Sequence, residues 1–284
     1  MKRLLILSGK GGTGKTTTAA AFIAFANSRA FADCDVDAPN LHLVSDMDTE
    51  PETIPFIGAD KATIDSEKCI NCGLCEEKCR FGALKNGKVN EYACEGCGVC
   101  AYVCPVDAVK LHPDEAGKQM LYRSERVFST AKLKMGRGNS GKLVTNVKLA
   151  LLKNAPETEL AIIDGSPGIG CPVIASVSGM DLVLVVAEPS LSGRSDLERL
   201  VKTTQTFQTK LAVCVNKWDT SPVNTQAIQV FCQEQNIPFV GKIPYDKTAS
   251  AAINAGLSLA QMNCPAASHC GRSMKIPSNY FKEK

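Results

Sequence analysis

Two sets of residues in this 284-residue chain have the types and spacing to do chemistry. The first is Gly9-Lys10-Gly11-Gly12-Thr13-Gly14-Lys15-Thr16-Thr17, which satisfies G-x-x-x-x-G-K-[ST] between an apolar stretch and an Ala-rich one. Glycines let backbone N–H groups close around phosphate oxygens, and a following helix adds the favourable field of its N-terminus. Lys15 reaches the β and γ phosphates, and Thr16 supplies a hydroxyl for Mg²⁺. The second set is cysteine. Cys69, Cys72, Cys75 and Cys79 form a C-x2-C-x2-C-x3-C run, and Cys94, Cys97, Cys100 and Cys104, followed by Pro105, repeat it 25 residues later. The N-terminus reads as a short buried strand without the longer apolar region and cleavage site of a signal peptide. For 14 cysteines in such a chain, metal ligation is expected over a disulfide scaffold.

The doubled run has the spacing of bacterial two-cluster ferredoxins, in which the fourth cysteine of each run ligates the other cluster. Cys69, Cys72, Cys75 and Cys104 are thereby assigned to one [4Fe–4S] cluster, and Cys94, Cys97, Cys100 and Cys79 to a second. Arg80 stands where a proline is usual after the first run. Zinc is the competing occupant, because tetrahedral four-thiolate sites also use C-x2-C pairs, but it explains two four-cysteine runs poorly.

Beyond the phosphate loop lie four further segments. Asp33-Cys34-Asp35-Val36-Asp37-Ala38-Pro39-Asn40-Leu41 clusters carboxylates after a strand; beside Mg²⁺ and a γ-phosphate such a group orients water. Leu160-Ala161-Ile162-Ile163-Asp164-Gly165-Ser166-Pro167-Gly168 puts Asp164 at the end of a buried strand, where a Mg²⁺ shell needs it. Asn216-Lys217-Trp218-Asp219 follows another strand, and Ile243-Pro244-Tyr245-Asp246 a third. N-K-x-D is also how GTPases read guanine, so GTP stands as an alternative to ATP.

With Lys10 beside the first glycine, the loop K-G-G-T-G-K-T resembles the deviant Walker A of the MinD/ParA/Mrp and nitrogenase iron protein superfamily, and the later segments extend the likeness. The resemblance implies that Lys10 reaches across a homodimer to the partner's nucleotide. It also implies that Asp35 positions the attacking water, that 165–168 is switch II, and that Asn216 contacts adenine with Lys217 and Pro244 near the base. ATP is favoured on that ground. Cys171 lies seven residues after Asp164, the offset of a bridging-cluster ligand in the nitrogenase iron protein, but Lys134, before Met135-Gly136-Arg137-Gly138, stands where the second ligand would be. Mrp-type carriers use a C-terminal C-x-x-C, whereas Cys264 and Cys270 are spaced more widely; a third, labile site at Cys171, Cys264 or Cys270 stays open. Cys34, Cys214 and Cys232 read as buried small hydrophobes.

These residues need elements to hold them. A strand at Leu4–Ser8, a helix to about Asn27 and a strand ending near Asp33 make a βαβ opening. After an interruption, a helix over 143–153, strands at 160–164 and 181–187, a helix over 194–208, a strand at 210–216, a helix over 224–235 and a strand at 239–243 continue the α/β alternation. The last twenty residues read as irregular, and 277–284 as too poor in apolar residues for a membrane-surface helix. The expected fold is α/β, a doubly wound and mostly parallel P-loop sheet over 1–59 and 113–284. A small α+β ferredoxin unit is inserted at 60–112.

Hydrophobic content of 44%, charged content of 21% and a net charge of +3 are ordinary for a globular protein. No apolar run approaches the ~20 residues of a membrane span, and no basic block announces nucleic acid. Lys132, Lys134, Arg137 and Lys142 form a local cluster, read as solvated or switch-associated. The expectation is a cytoplasmic ATPase that binds ATP, Mg²⁺ and two [4Fe–4S] clusters and dimerises around its nucleotide. It would gate electron donation to a redox partner, serve metal-cluster assembly as Mrp-type proteins do, or act as a MinD-like positioning switch.

Overall fold

The computed structural model describes residues 1–45 and 47–280, with side chains as far as Met274. The expectation for 277–284 therefore lies outside the described side chains. In chain order the elements are β1 (Lys2–Leu7), α1 (Lys15–Phe25), β2 (Ala30–Asp33), β3 (Glu52–Ile57), β4 (Lys61–Ile64), α2 (Leu74–Glu77), β5 (Leu84–Lys85), β6 (Lys88–Val89), α3 (Val99–Tyr102), β7 (Val109–His112), β8 (Glu115–Arg123) and β9 (Val127–Leu133). They continue with α4 (Ser140–Asn154), β10 (Leu160–Asp164), α5 (Cys171–Val177), β11 (Leu182–Ala187), α6 (Leu191–Gln205), β12 (Lys210–Asn216), α7 (Pro222–Glu234), β13 (Phe239–Ile243), α8 (Lys247–Asn254) and α9 (Pro265–Tyr280).

The chain divides into two compact units, one of residues 1–53, 119–131 and 140–284, the other of 54–118 and 132–139. In the first, parallel strands run in the order β13-β12-β11-β1-β10-β2-β9. Strands buried on both faces are near-continuous apolar runs, as in Leu182–Ala187, where every residue is buried. Helix α6, packed on β11, is amphipathic: it buries Leu197, Leu200, Val201 and Thr204 at helical spacing and starts on Ser190, whose hydroxyl accepts from the Gly193 N–H. Strand order reverses at β1, so a crevice opens at its C-terminal end, where open α/β sheets bind ligands. Register then does the positioning. Ile6 pairs with Asp164 and Asp164 with Asp33, which gathers the ends of three strands at the phosphate loop.

The second unit is built as a repeat. β4 and β7 pair antiparallel, Lys61 with His112 through Ile64 with Val109, and β5 and β6 form a short hairpin. The helical turns α2 and α3 each start from a left-handed glycine, Gly73 at φ 76° and Gly98 at φ 79°. Ala62, Ala83, Leu84, Cys94, Cys100 and Val109 are buried together as its core. The composition change at 60–112 lies within this unit.

Two sequence expectations are corrected. The tail is helical from Pro265 to Tyr280, not irregular. Ala266, Ala267, Cys270, Ser273 and Met274 are buried at helical spacing, a stripe that small and polar residues conceal from a hydropathy reading. The basic cluster is not simply solvated either: Arg137 pairs with Asp114 at 3.0 Å and Glu91 at 2.9 Å and stacks on Tyr92, and Lys134 pairs with Glu115 at 3.1 Å.

Candidate nucleotide site and cysteine unit

The loop between β1 and α1 is shaped by two glycines that only a residue without Cβ tolerates. Gly14 has φ 89°, and a Cβ there would fall 2.2 Å from Asn216 Nδ2; Gly9 would place one 2.1 Å from the Asp196 side chain. Gly11 and Gly12 face open space. The loop borders a cavity of about 720 Å³ that is also lined by Thr16, Thr17, Asp35, Ser166, Asn216, Lys217, Pro244 and Tyr245. That volume suits a nucleotide-sized ligand.

Lys15 and Asp164 form the buried centre of this site. Lys15 Nζ lies 2.6 Å from Asp164 Oδ1 and 3.4 Å from Thr16 Oγ1, and both ends of the ion pair are almost wholly buried. Burial disfavours the Lys15 ammonium, but the Asp164, Asp33 and Asp35 carboxylates outweigh it and hold its pKa above the ordinary value. Asp164 Oδ2 and Thr13 Oγ1 are buried without a hydrogen-bond partner. Buried polar atoms normally find partners, so these orphaned oxygens fit a bound cation and phosphate.

The two aspartates of D-x-D have different work. Asp33 is fully buried and accepts from the N–H groups of Asp35 at 3.0 Å and of Asn40 and Leu41 at 2.9 Å, so it shapes the loop. Burial, then repulsion from Asp164, pushes its pKa up to about 7 against the pull of Lys15. Asp35 instead borders the cavity; burial raises its pKa as well, with Lys15 opposing. Cys34 N–H donates to the Asp164 carbonyl at 2.7 Å and Ser166 Oγ to the Cys34 carbonyl at 2.5 Å, which ties the loop after β2 to the loop after β10. Sequence alone does not single out Asp33, since both aspartates share one motif and only depth separates them.

Lys10, Asn216 and Lys217 meet around the same loop. Lys10 Nζ lies 2.7 Å from Glu188 Oε2 and 3.2 Å from Ser192 Oγ. Asn216 donates to the Thr13 carbonyl at 2.7 Å and Lys217 to the Gly12 carbonyl at 3.0 Å. Glu188 belongs to no motif; the one signal for it in the sequence is its position at the end of the apolar run of β11. Asp219 does not line the cavity, and its Oδ1 accepts from the Tyr245 N–H at 2.7 Å. A carboxylate bracing the chain after β13 is poorly placed to read guanine, which favours ATP.

In the second unit all eight cysteines of the two runs are free. Cys79, Cys94, Cys97 and Cys100, the four assigned to one cluster, line a common cavity. Cys79 Sγ accepts from the Ala83 N–H at 3.3 Å and Cys104 Sγ from the Ala108 N–H at 3.2 Å, bonds that suit thiolates. Backbone N–H groups around Cys104, that of Val106 foremost, hold its thiol below the ordinary pKa. Among the described residues no three His, Cys, Asp or Glu side chains are gathered closely enough for a single ion. An iron–sulfur cluster interposes irons and sulfides, so its thiolates stand farther apart. Cys79, Cys94, Cys97 and Cys100, which share one cavity, are a donor set that fits such a group.

The other cysteines separate. Cys34, Cys214 and Cys232 are buried, as are Cys264 and Cys270; burial raises the thiol pKa of Cys264 and, more strongly, that of Cys270. Cys171 is exposed at the start of α5.

Residues 4–259 match the family model for the CobQ/CobB/MinD/ParA nucleotide binding domain. The uncharacterized protein MJ0578 of Methanocaldococcus jannaschii is 34% identical over 248 residues, covering 85% of this chain and 86% of that protein. Among solved structures, the Pyrococcus furiosus cell division ATPase MinD superposes with a TM-score of 0.59 at 15% identity, covering 98% of each chain. The septum site-determining protein MinD of Pyrococcus horikoshii, in complex with Mg-ADP, gives 0.59 at 16% identity over 100% of this chain and 99% of that one. At these identities the structures establish the fold. No helix among the described residues is long and apolar enough to cross a membrane.

Proposed function

This chain belongs to the CobQ/CobB/MinD/ParA nucleotide-binding family, and from that premise we propose that it is an ATP-hydrolysing, nucleotide-switched homodimer whose second unit carries two [4Fe–4S] clusters and passes electrons to a protein partner. The observation that carries the reading is the buried Lys15–Asp164 pair with its orphaned carboxylate oxygen behind the glycine loop, in a chain that also has eight free cysteines in a doubled run. The Mg-ADP held by the Pyrococcus horikoshii relative supports the choice of nucleotide.

Backbone N–H groups of 11–16 and the Lys15 ammonium hold the β and γ phosphates. Thr16 and Asp164 would hold the Mg²⁺, which would neutralise charge on the phosphates. Lys15 must then exchange part of its contact with Asp164 for phosphate. Asp35 at the cavity wall orients the attacking water, and Lys10 turns from Glu188 toward the partner's phosphates. Asn216 and Pro244 border the base. In the second unit, Cys69, Cys72, Cys75 and Cys104 would hold one cluster and Cys79, Cys94, Cys97 and Cys100 the other. Such clusters store and pass single electrons.

The test is anaerobic ATP turnover with the protein oxidised and then reduced, alongside iron content and EPR in each nucleotide state. The reading expects about eight irons per chain, a nucleotide-dependent EPR signal, and turnover that depends on redox state. Full iron with no such coupling would replace electron transfer by a MinD-like switch. Iron passed to an apo-acceptor would favour cluster assembly, and absence of iron would remove the cluster assignment while leaving the ATPase.

A further inference from the structure

The second unit contains a buried lysine with no carboxylate to pair with it. Lys61 at the start of β4 is 6% exposed, and its Nζ donates to the backbone carbonyl of Cys94 at 2.5 Å. Among the described residues no Asp or Glu lies within ion-pair distance of it; Glu91, which feels its charge from farther away, is committed to Arg137 at 2.9 Å. Burying an ammonium without a counter-charge is costly, and the Cys94 carbonyl is one acceptor where buried Lys148 of the first unit has three, the carbonyls of Ala175, Ser176 and Ser178; an anion beside Lys61 would offset the difference.

The internal repeat shows that this lysine is an addition to one half only. Cys69 N–H donates to the Asp65 carbonyl and Cys94 N–H to the Asn90 carbonyl, both at 3.0 Å. Asp65 N–H donates to the Ala108 carbonyl at 2.8 Å and Asn90 N–H to that of Ala83 at 2.7 Å. Each pair is related by the same 25-residue offset, as are the N–H contacts to the sulfurs of Cys79 and Cys104. By that offset the counterpart of Lys61 is Asn86, an exposed residue at φ 49° that carries no charge. The halves also differ in depth: Cys94 and Cys100 are buried, whereas Cys69 and Cys75 are half-exposed.

We infer that Lys61 is the counter-charge of the cluster held by Cys79, Cys94, Cys97 and Cys100 and makes the two clusters unequal, raising the reduction potential of that one. The inference rests on the cluster reading proposed above. Four thiolates around a [4Fe–4S] core leave a net negative charge, and one-electron reduction adds another. A fixed cation against the Cys94 carbonyl stabilises the reduced form more than the oxidised one, as charge and hydrogen bonding near the sulfurs tune such centres. Lys61 would act through the field it sets and take no part in the transfer, and its effect opposes that of the deeper burial of Cys94 and Cys100, which disfavours added negative charge.

The experiment is an anaerobic, EPR-monitored redox titration of the full chain with dithionite as reductant, comparing the native protein with Lys61→Met, Lys61→Gln and Lys61→Arg at measured iron content. The native protein should show two separated midpoints. Lys61→Met and Lys61→Gln should move the higher one downward and leave the lower in place, and Lys61→Arg should restore the separation. Full iron with both midpoints unmoved, or both moved together, overturns the role of Lys61. If Lys61→Met loses iron while Lys61→Gln keeps iron and native midpoints, the lysine is structural and the inference fails. A native chain without iron overturns the cluster reading itself, an outcome distinct from these.

Discussion

Lys10 Nζ is held 2.7 Å from the Glu188 carboxylate of its own chain, so the lysine assigned to a partner's nucleotide is engaged at home in the single chain. Dimerisation through Lys10 must break that contact. Lys10→Ala should abolish ATP-dependent association while nucleotide binding persists, and Glu188→Gln should lower the ATP concentration needed to associate. Analytical ultracentrifugation with a non-hydrolysable ATP analogue measures both. A Lys10→Ala protein that still dimerises with ATP would refute the assignment.

The Lys15–Asp164 pair is nearly dry, and removing one partner strands the other. Lys15→Met should abolish detectable nucleotide binding and destabilise the first unit by about 3–5 kcal/mol. Asp164→Asn should be less damaging to stability, because an amide still accepts from Lys15, but should weaken Mg²⁺-dependent binding. Urea unfolding and nucleotide titration with and without Mg²⁺ distinguish the two.

Asp35 lines the cavity whereas Asp33 braces its loop. Asp35→Asn is expected to slow hydrolysis by roughly 10²-fold or more, the usual scale for a positioned acid–base group, with ATP binding retained. A fall in kcat with unchanged nucleotide affinity is the signature to look for. An equal loss of binding would mean that Asp35 shapes the site instead.

Asp33 contributes to the pH dependence of stability. Its folded pKa of about 7 lies above the unfolded 3.8, so between these values the folded state holds more protons than the unfolded one. Stability contributed by this group is full below about pH 4 and is lost as pH rises toward about 7. Asp33→Asn should flatten that part of the stability profile, measured as urea midpoints from pH 4 to 8 against the native protein.

Nucleotide choice is open to a simple check. Asp219 accepts from the Tyr245 N–H and lies off the cavity, so Asp219→Asn should leave the ATP-to-GTP preference unchanged. A shift toward xanthosine triphosphate would show guanine-type reading instead.

The phosphate loop, the parallel sheet and the doubled cysteine runs are legible along the chain, because each is a local pattern. Glycine at Gly12 and Gly14 answers backbone needs, apolar runs such as Leu182–Ala187 answer burial on both faces, and the doubled thiol spacing is repeated at a fixed offset along the chain. A linear pattern does not express which long-range neighbours share a pocket. The contrast of Asp33 with Asp35, the Lys10–Glu188 contact and the engagement of Asp219 all depend on strands far apart in the chain lying in register, as Asp164 does with Ile6 and Asp33. The helix over Pro265–Tyr280 is hidden for a related reason: its Ala, Ser, Cys and Gly residues have little hydropathic contrast, and packing against β13 and α1 supplies what propensity does not. Lys61 is the sharpest case. In the sequence it is one lysine among 32 basic residues, and only the fold takes it out of water and sets it against Cys94. Burial turns an ordinary charge into one that needs a partner.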